Sequence, residues 1–310
     1  MGKTALLFPG QASQYVGMGK DLHESSPEVR DLYNLASQEI GEDIARLSFE
    51  GPPEELKRTR FTQPAILVHS LAVLTVLGDR LPGFDFAAGH SLGEYSALAA
   101  CGALSFRDAI RVVVRRASLM EEACVKNPGT MAAMIGLSMT SVEEICRRAS
   151  SQGIVNPANF NSSTQVVVSG TLAGVEEAVI LAREAGAKRA VTLEVGGAFH
   201  SPLMEPAREG LSEYLPSIMI KIPHRPVIAN VTAEEVLDPD AIRELLVEQI
   251  TSPVRWAQTM TFLKGQGVTR TFEMGPGRIL SGLAKRELRP EQMINLDTVE
   301  DIQAFTPSMV

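Results

Sequence analysis

The sequence predicts an α/β protein built on an open sheet, with a small ferredoxin-like subdomain inserted into it. Three observations carry that expectation. An apolar strand-like run, Phe84 to Ala88, feeds the turn Gly89-His90-Ser91-Leu92-Gly93-Glu94 and then an alanine-rich helical stretch, Tyr95 to Ala103. A second short apolar strand, Thr4 to Phe8, runs straight into the polar loop Pro9-Gly10-Gln11-Ala12-Ser13-Gln14. Open α/β sheets place ligands at that end of a strand. From about residue 127 to 196 the pattern changes to strand, helix, strand, strand, helix, strand, which is the ferredoxin-like order. The expected division is therefore a large domain of residues 1–126 and 197–310, and a small one of residues 127–196, with a cleft between them.

In chain order, helices are expected from Val29 to Gly41 and from Pro53 to Arg58, separated by the break Gly51-Pro52-Pro53. Thr62-Gln63-Pro64 opens the next helix, with Pro64 in its first turn, where the missing N–H costs nothing. Ser105 caps a helix that runs to about Glu122. In the insertion, Met131 to Leu137, Ile154 to Phe160, Thr164 to Gly170 and Lys188 to Val195 read as strands. Ser141 to Gln152 and Leu172 to Ala185 read as its helices. Thereafter come a helix from Glu205 to Ile218, a strand from Pro226 to Asn230 and helices from Pro239 to Ile250 and Val254 to Lys264. Thr269 to Met274 is a strand, and Gly275-Pro276-Gly277 turns into a last helix. That glycine turn lacks a Gly-Lys-Ser/Thr ending and is read as structural; Asp301 to Val310 reads as a loose tail.

The composition sets bounds. Of 310 residues, 29 are Lys or Arg and 37 are Asp or Glu, a net charge of −8 that argues against nucleic acid as the main partner. Cys101, Cys124 and Cys146 are odd in number, widely spaced and not paired with histidines, so neither a disulfide framework nor a metal site is expected. Met-Gly-Lys-Thr passes directly into a strand-like run, so no signal peptide is expected. The most apolar helix, Ala65 to Leu77, is interrupted by polar residues and reads as too short for a bilayer. A cytoplasmic monomer without a membrane partner is expected.

The chemistry centres on Ser91. Gly-x-Ser-x-Gly between a strand and a helix is a nucleophile elbow: the sharp turn lifts the serine, and the small glycines let strand and helix approach. The helix N-terminus places unpaired N–H groups beside the serine, and that of Leu92 is a natural oxyanion donor. Among the five histidines, His200 is the best general base, because its loop leaves the insertion at the edge of the cleft. Arg116 lies in line with Ala109, Val112, Val113, Ala117 and Met120 on an apolar helical stripe, while Arg107, Arg111 and Arg115 share a solvated one. A buried arginine needs an anion. Either a protein carboxylate or a carboxylate of the substrate meets that need.

Phe8-Pro9-Gly10-Gln11, the Gly-His-Ser-Leu-Gly-Glu elbow, Arg116 and Ala198-Phe199-His200-Ser201 occur here in one order. Together with Thr62-Gln63-Pro64, Asn159-Phe160-Asn161, Gly186-Ala187-Lys188-Arg189-Ala190 and Gln249 ahead of Pro253-Val254-x-Trp256, they resemble the malonyl-CoA:acyl carrier protein transacylases of fatty acid synthesis, from Leu7 to about Asn295. The resemblance implies an α/β-hydrolase-like core with a ferredoxin-like insert. It implies that Ser91 is acylated with His200 as base, that Gln249 orients His200 through its backbone carbonyl, and that the N–H groups of Leu92 and Gln11 form an oxyanion hole. Arg116 is implied to bind the malonyl carboxylate, with Gln63, Asn159, His90 and Phe199 completing the substrate site. Phe199 resembles the malonyl-selective type of related polyketide acyltransferases. Malonyl-CoA and a carrier-borne phosphopantetheine are implied as substrates, with no permanently bound cofactor; Lys188, Arg189, Lys285 and Arg286 are candidate contacts for the acidic carrier.

Two positions depart from the pattern: Ala12 and Ala117 stand where glycine is usual. A positive φ at Ala12 implies strain in the loop, and a methyl at Ala117 is expected to narrow the pocket. The alternatives are a trans-acting polyketide acyltransferase, a serine hydrolase or thioesterase, and a non-catalytic binding subunit. A hydrolase needs an acidic triad member, and no Asp between Ser91 and His200 sits in a convincing loop at a strand end.

Overall fold

The computed structural model describes residues 2–306. Ten strands form two sheets: β1 (Lys3–Phe8), β2 (Phe86–Gly89), β3 (Thr130–Ile135), β4 (Val155–Ser162), β5 (Gln165–Gly170), β6 (Arg189–Thr192), β7 (Val227–Ile228), β8 (Glu235–Val236), β9 (Val268–Met274) and β10 (Gln292–Leu296). The larger sheet has the order β10-β9-β1-β2-β7-β8 and is parallel except for β8, which pairs antiparallel with β7. The smaller sheet is antiparallel, in the order β4-β5-β3-β6.

Both faces of the large sheet are covered, which explains why β1 reads as a continuous apolar run and not as an alternation. Leu6 and Phe8 join the core on one face with Ala87, Val227 and Phe272. Ala5 and Leu7 join the other with Ala88, Ile228, Trp256 and Met260. A third core, around Met134, Val142, Val166 and Val175, belongs to the small sheet and its two helices, Met139–Ala149 and Leu172–Glu184. The two sheets are joined where Asn159 in β4 bridges to Val254, with Phe160 N–H donating to the Val254 carbonyl at 2.9 Å.

Several elements differ from expectation. The core helix runs Thr59–Leu77, so Pro64 lies in its interior and leaves the Arg60 carbonyl without a helical donor. Burial of Phe61 and Thr62 favours the extra turn over the proline's preferred place. With the turn that follows, residues 59–80 are long and apolar enough to cross a membrane, but 83% of that apolar window is buried inside the protein. The short helices Lys20–Ser25 and Ile44–Glu50, the two-residue β8 and the edge strand β10 have too few periodic residues to be legible.

The expected loose tail is also corrected. Residues 301–304 belong to the helix Val299–Ala304, opened by a capping box between Thr298 and Asp301. Ile302 and Phe305 are buried, and Arg80 Nη2 donates to both their carbonyls. Residues 307–310 lie outside the described part. Thr298→Ala removes one half of the capping box, and should cost about 1 kcal/mol of unfolding free energy in a urea titration. An unchanged midpoint would show that the cap does not anchor this end.

Candidate active site

The elbow forms between β2 and the helix Gly93–Ala100, with Ser91 in the left-handed region at φ 51°. Glycine is required on both sides of it. A Cβ at Gly89 would lie 1.9 Å from the Gly93 carbonyl, and one at Gly93 would lie 2.1 Å from the Phe8 oxygen. Asn230, just past β7, braces the turn: its Oδ1 accepts from Ser91 N–H at 2.6 Å and its Nδ2 donates to the Gly89 carbonyl at 2.7 Å.

His200 also sits at positive φ, 56°, on the loop between β6 and the turn Pro202–Met204. Its Nδ1 is 2.8 Å from the Gln249 carbonyl and its Nε2 is 2.8 Å from Ser91 Oγ. A carbonyl only accepts, so Nδ1 carries the proton and the Nε2 lone pair faces the serine hydroxyl. Burial, and then the positive charge of Arg116, lower the His200 pKa to about 3. The imidazole is therefore a neutral base at neutral pH.

Arg116 projects from the helix Phe106–Lys126 and is 1% exposed. Nη1 donates to Gln63 Oε1 at 2.5 Å; Nη2 donates to Gln249 Oε1 at 2.8 Å and to Ser91 Oγ at 3.1 Å. Its carbon lies 5.5 Å from the centre of the Tyr95 ring, and Nε is buried without a partner. Among the described residues it makes no ion pair. Of the two readings open in the sequence, the structural salt bridge is not what is found.

These groups surround a cavity of about 480 Å³ between the two sheets. Gln11, Gln63, His90, Ser91, Leu92, Arg116, Asn159, Phe199 and His200 all line it, and Gln249 stands behind it. His90, implied for the substrate site, borders the cavity and bonds across to Asn161 Oδ1 at 2.8 Å, its ring 5.5 Å from that of Trp256. Asn161, one residue past the expected strand Ile154 to Phe160, is part of β4. Asn159 Oδ1 is buried with no partner. Neither Leu92 N–H nor Gln11 N–H donates to an acceptor among the described residues. Ala12 lines the cavity at φ 83°, so the strain expected there is present. Ala117 does not narrow the pocket: its methyl is buried away from the cavity.

Sequence reasoning missed Glu94, Asn230, the Gln249 carboxamide and Arg278. Glu94 is buried, accepting from Gln249 Nε2 at 2.7 Å and Asn230 N–H at 3.1 Å. Its signal was available: Tyr95 to Ala103 is apolar all round and leaves an adjoining acid no solvent face. Asn230 follows a buried strand at its C-terminal end, where α/β sites assemble. The Gln249 side chain, as well as its carbonyl, belongs to the site. Arg278 and Arg286, both exposed, stand where the Ile279–Glu287 helix borders the cavity.

Unfolded histidine titrates near 6.5, well above the value in the fold. The unfolded chain therefore binds a proton that the native site refuses, so the His200 contribution to stability rises with pH from about 3 to about 6.5 and is flat above that window. In a nitrogen NMR titration His200 should stay neutral, protonated on Nδ1, from about pH 8 down to about pH 5. A midpoint near 6.5 would contradict the buried geometry.

The chain is similar to known proteins along almost its whole length. Residues 5–282 match the acyl transferase domain family. It is 45% identical to the malonyl CoA-acyl carrier protein transacylase of Bacillus subtilis over 98% of this chain and 96% of that protein. It is 42% identical to the enzyme of that name from Haemophilus influenzae over the whole of both. An acyl carrier protein S-malonyltransferase from Vibrio cholerae superposes with a TM-score of 0.92 at 41% identity, over 97% of this chain and 99% of that one. A malonyl-transacylase solved in complex with its type II PKS acyl-carrier protein does so at 0.92 and 40%, over 97% and 98%. With its glycine-flanked serine, neutral imidazole and unpaired guanidinium on one cavity, this chain belongs to the acyl transferase family, among the malonyl CoA-acyl carrier protein transacylases.

Proposed function

We propose that the chain moves a malonyl group from malonyl-CoA to the phosphopantetheine thiol of an acyl carrier protein, by way of a malonyl ester on Ser91. One observation carries this reading: a buried guanidinium with no carboxylate of its own donates to the same hydroxyl oxygen that faces the His200 lone pair. A cation so placed selects an acyl group that itself ends in a carboxylate.

In the proposed reaction His200 Nε2 takes the Ser91 proton as Oγ attacks the thioester carbon. The oxyanion is held by the N–H groups of Leu92 and Gln11. Collapse breaks the C–S bond, and the departing sulfur takes the proton back from the imidazolium. The carrier thiol then attacks the ester by the same steps in reverse, returning the proton to Ser91. The Gln249 carbonyl holds the ring and stabilises its charged form without becoming protonated. Coenzyme A and phosphopantetheine enter as substrates. Gln63 positions Arg116 through its Oε1, while His90, Asn159 and Phe199 bound the acyl group.

The architecture is read as an α/β-hydrolase-like core of residues 1–126 and 197–310 carrying a ferredoxin-like insert, residues 127–196. Two parts of the chain then supply the site: the core gives Ser91 and Arg116, and the insert gives Asn159 and the apolar wall of Met131, Ala133 and Val167. A serine hydrolase is disfavoured, because His200 leans on a carbonyl where that class uses a carboxylate. The type II PKS complex among the structural relatives supports the same transfer chemistry in polyketide assembly as in fatty acid synthesis.

Intact mass spectrometry after mixing with malonyl-CoA alone should show one malonyl adduct, absent in Ser91→Ala. In Arg116→Ala, malonyl acylation should slow about 10- to 100-fold, from the ~1.5–3 kcal/mol of a charged hydrogen bond, with acetyl acylation far less affected. Equal slowing of both acyl groups would remove the clamp, and an adduct that persists in Ser91→Ala would remove the mechanism.

A further inference from the structure

Behind the Ser91 hydroxyl, hydrogen bonds join two buried charges of opposite sign. Glu94 opens the elbow helix, and its Oε2 accepts from both Gln249 Nε2 and Asn230 N–H. Gln249 Oε1 accepts in turn from Arg116 Nη2. The carboxamide has one workable orientation. Flipped, its NH2 would meet guanidinium donors and its oxygen would meet the Glu94 carboxylate and the Ser91 carbonyl, to which Nε2 now donates at 3.1 Å. Among the described residues neither Glu94 nor Arg116 has a direct ion pair. A single amide separates them.

We propose that Glu94 is the counter-charge of Arg116, coupled through the Gln249 carboxamide, and that it takes up a proton from solvent when a malonyl carboxylate occupies the guanidinium. This rests on the clamp reading above. The resting site holds one carboxylate and one guanidinium. A malonyl group brings a second carboxylate against a guanidinium that is itself buried, as Glu94 is, and like charges close to such buried groups repel more strongly than in water. The groups facing Glu94 cannot absorb it: burial holds His90 and His200 neutral and raises the Tyr95 hydroxyl to about 12. Glu94 can. Burial raises its carboxyl to about 7, against the pull of Gln249, Asn230 and Arg116, so a second nearby anion tips it to the neutral acid. The malonyl carboxylate, in direct contact with the guanidinium, stays ionised. Glu94 is in this sense a positioning residue, setting how much of the Arg116 charge is free for substrate.

The acyl exchange itself is proton-neutral near pH 7, because coenzyme A leaves as a thiol. A pH-indicator dye in weak buffer therefore reads the proposal directly. Wild-type enzyme mixed with malonyl-CoA should take up about half a proton per acylated Ser91 at pH 7, and none with acetyl-CoA; near pH 8, where about a quarter of the released thiol ionises with either substrate, the malonyl-minus-acetyl difference should approach one. Above pH 7 the equilibrium for malonyl-enzyme formation should fall by up to about tenfold per pH unit. In Glu94→Gln, whose amide oxygen can accept both bonds now made to Oε2, uptake should vanish and the pH dependence should flatten. Malonyl adduct formation without proton uptake, or equal uptake in Glu94→Gln, overturns the proposal. The malonyl–acetyl comparison needs no variant, so it decides the matter even if Glu94→Gln does not fold. Failure of the clamp itself shows separately, as equal slowing of malonyl and acetyl in Arg116→Ala.

Discussion

A guanidinium taken out of water without a carboxylate beside it is the constraint to which this structure answers. Stranding such a charge costs several kcal/mol unless polar groups meet it. Here the answer is two glutamine oxygens, a serine hydroxyl and an aromatic face. None of these cancels the charge. The helix Thr59–Leu77 brings Gln63, and the segment after the helix Pro239–Glu248 brings Gln249, so much of the large-sheet core serves to hold neutral oxygens against Arg116. The site keeps a positive field aimed at the serine.

Backbone strain gathers at the same place. Of the five non-glycine residues with positive φ among the described residues, three line the cavity: Ala12, Ser91 and His200. Each costs on the order of 1–3 kcal/mol and persists only where the surroundings fix it. Asn230 fixes the elbow from below, the Gln249 carbonyl fixes the imidazole, and Gln14 Oε1 accepts from Ala12 N–H at 2.8 Å. Strain so distributed holds the His200 imidazole and the Ser91 hydroxyl 2.8 Å apart. The bridge from Asn159 to Val254 then sets the small sheet as the opposite wall.

Much of this was legible because the sequence patterns are local. The elbow needs two glycines and a serine in register with a strand and a helix, all within ten residues. His200 followed by elimination among five histidines. Arg116 was visible as a charge on an apolar stripe, but its partner was not, since what meets a side chain is decided by distant segments. Glu94, Asn230 and the Gln249 carboxamide were missed for the same reason: they are 136, 139 and 155 positions from the groups they bond. The start of the core helix went to the burial of Phe61 over the preference of Pro64, and the closing helix announced itself only by Thr298 and Asp301.

In the proposed transfer one cation, one nucleophile and one base act on the same small acyl group. A crystal structure of the enzyme acylated by malonyl-CoA tests it most directly. The malonyl carboxylate should accept from the Arg116 guanidinium within hydrogen-bond distance while its ester carbonyl points to the N–H groups of Leu92 and Gln11. A carboxylate turned outward to Arg278 or Arg286, with Arg116 still bound only to its glutamines, would contradict it.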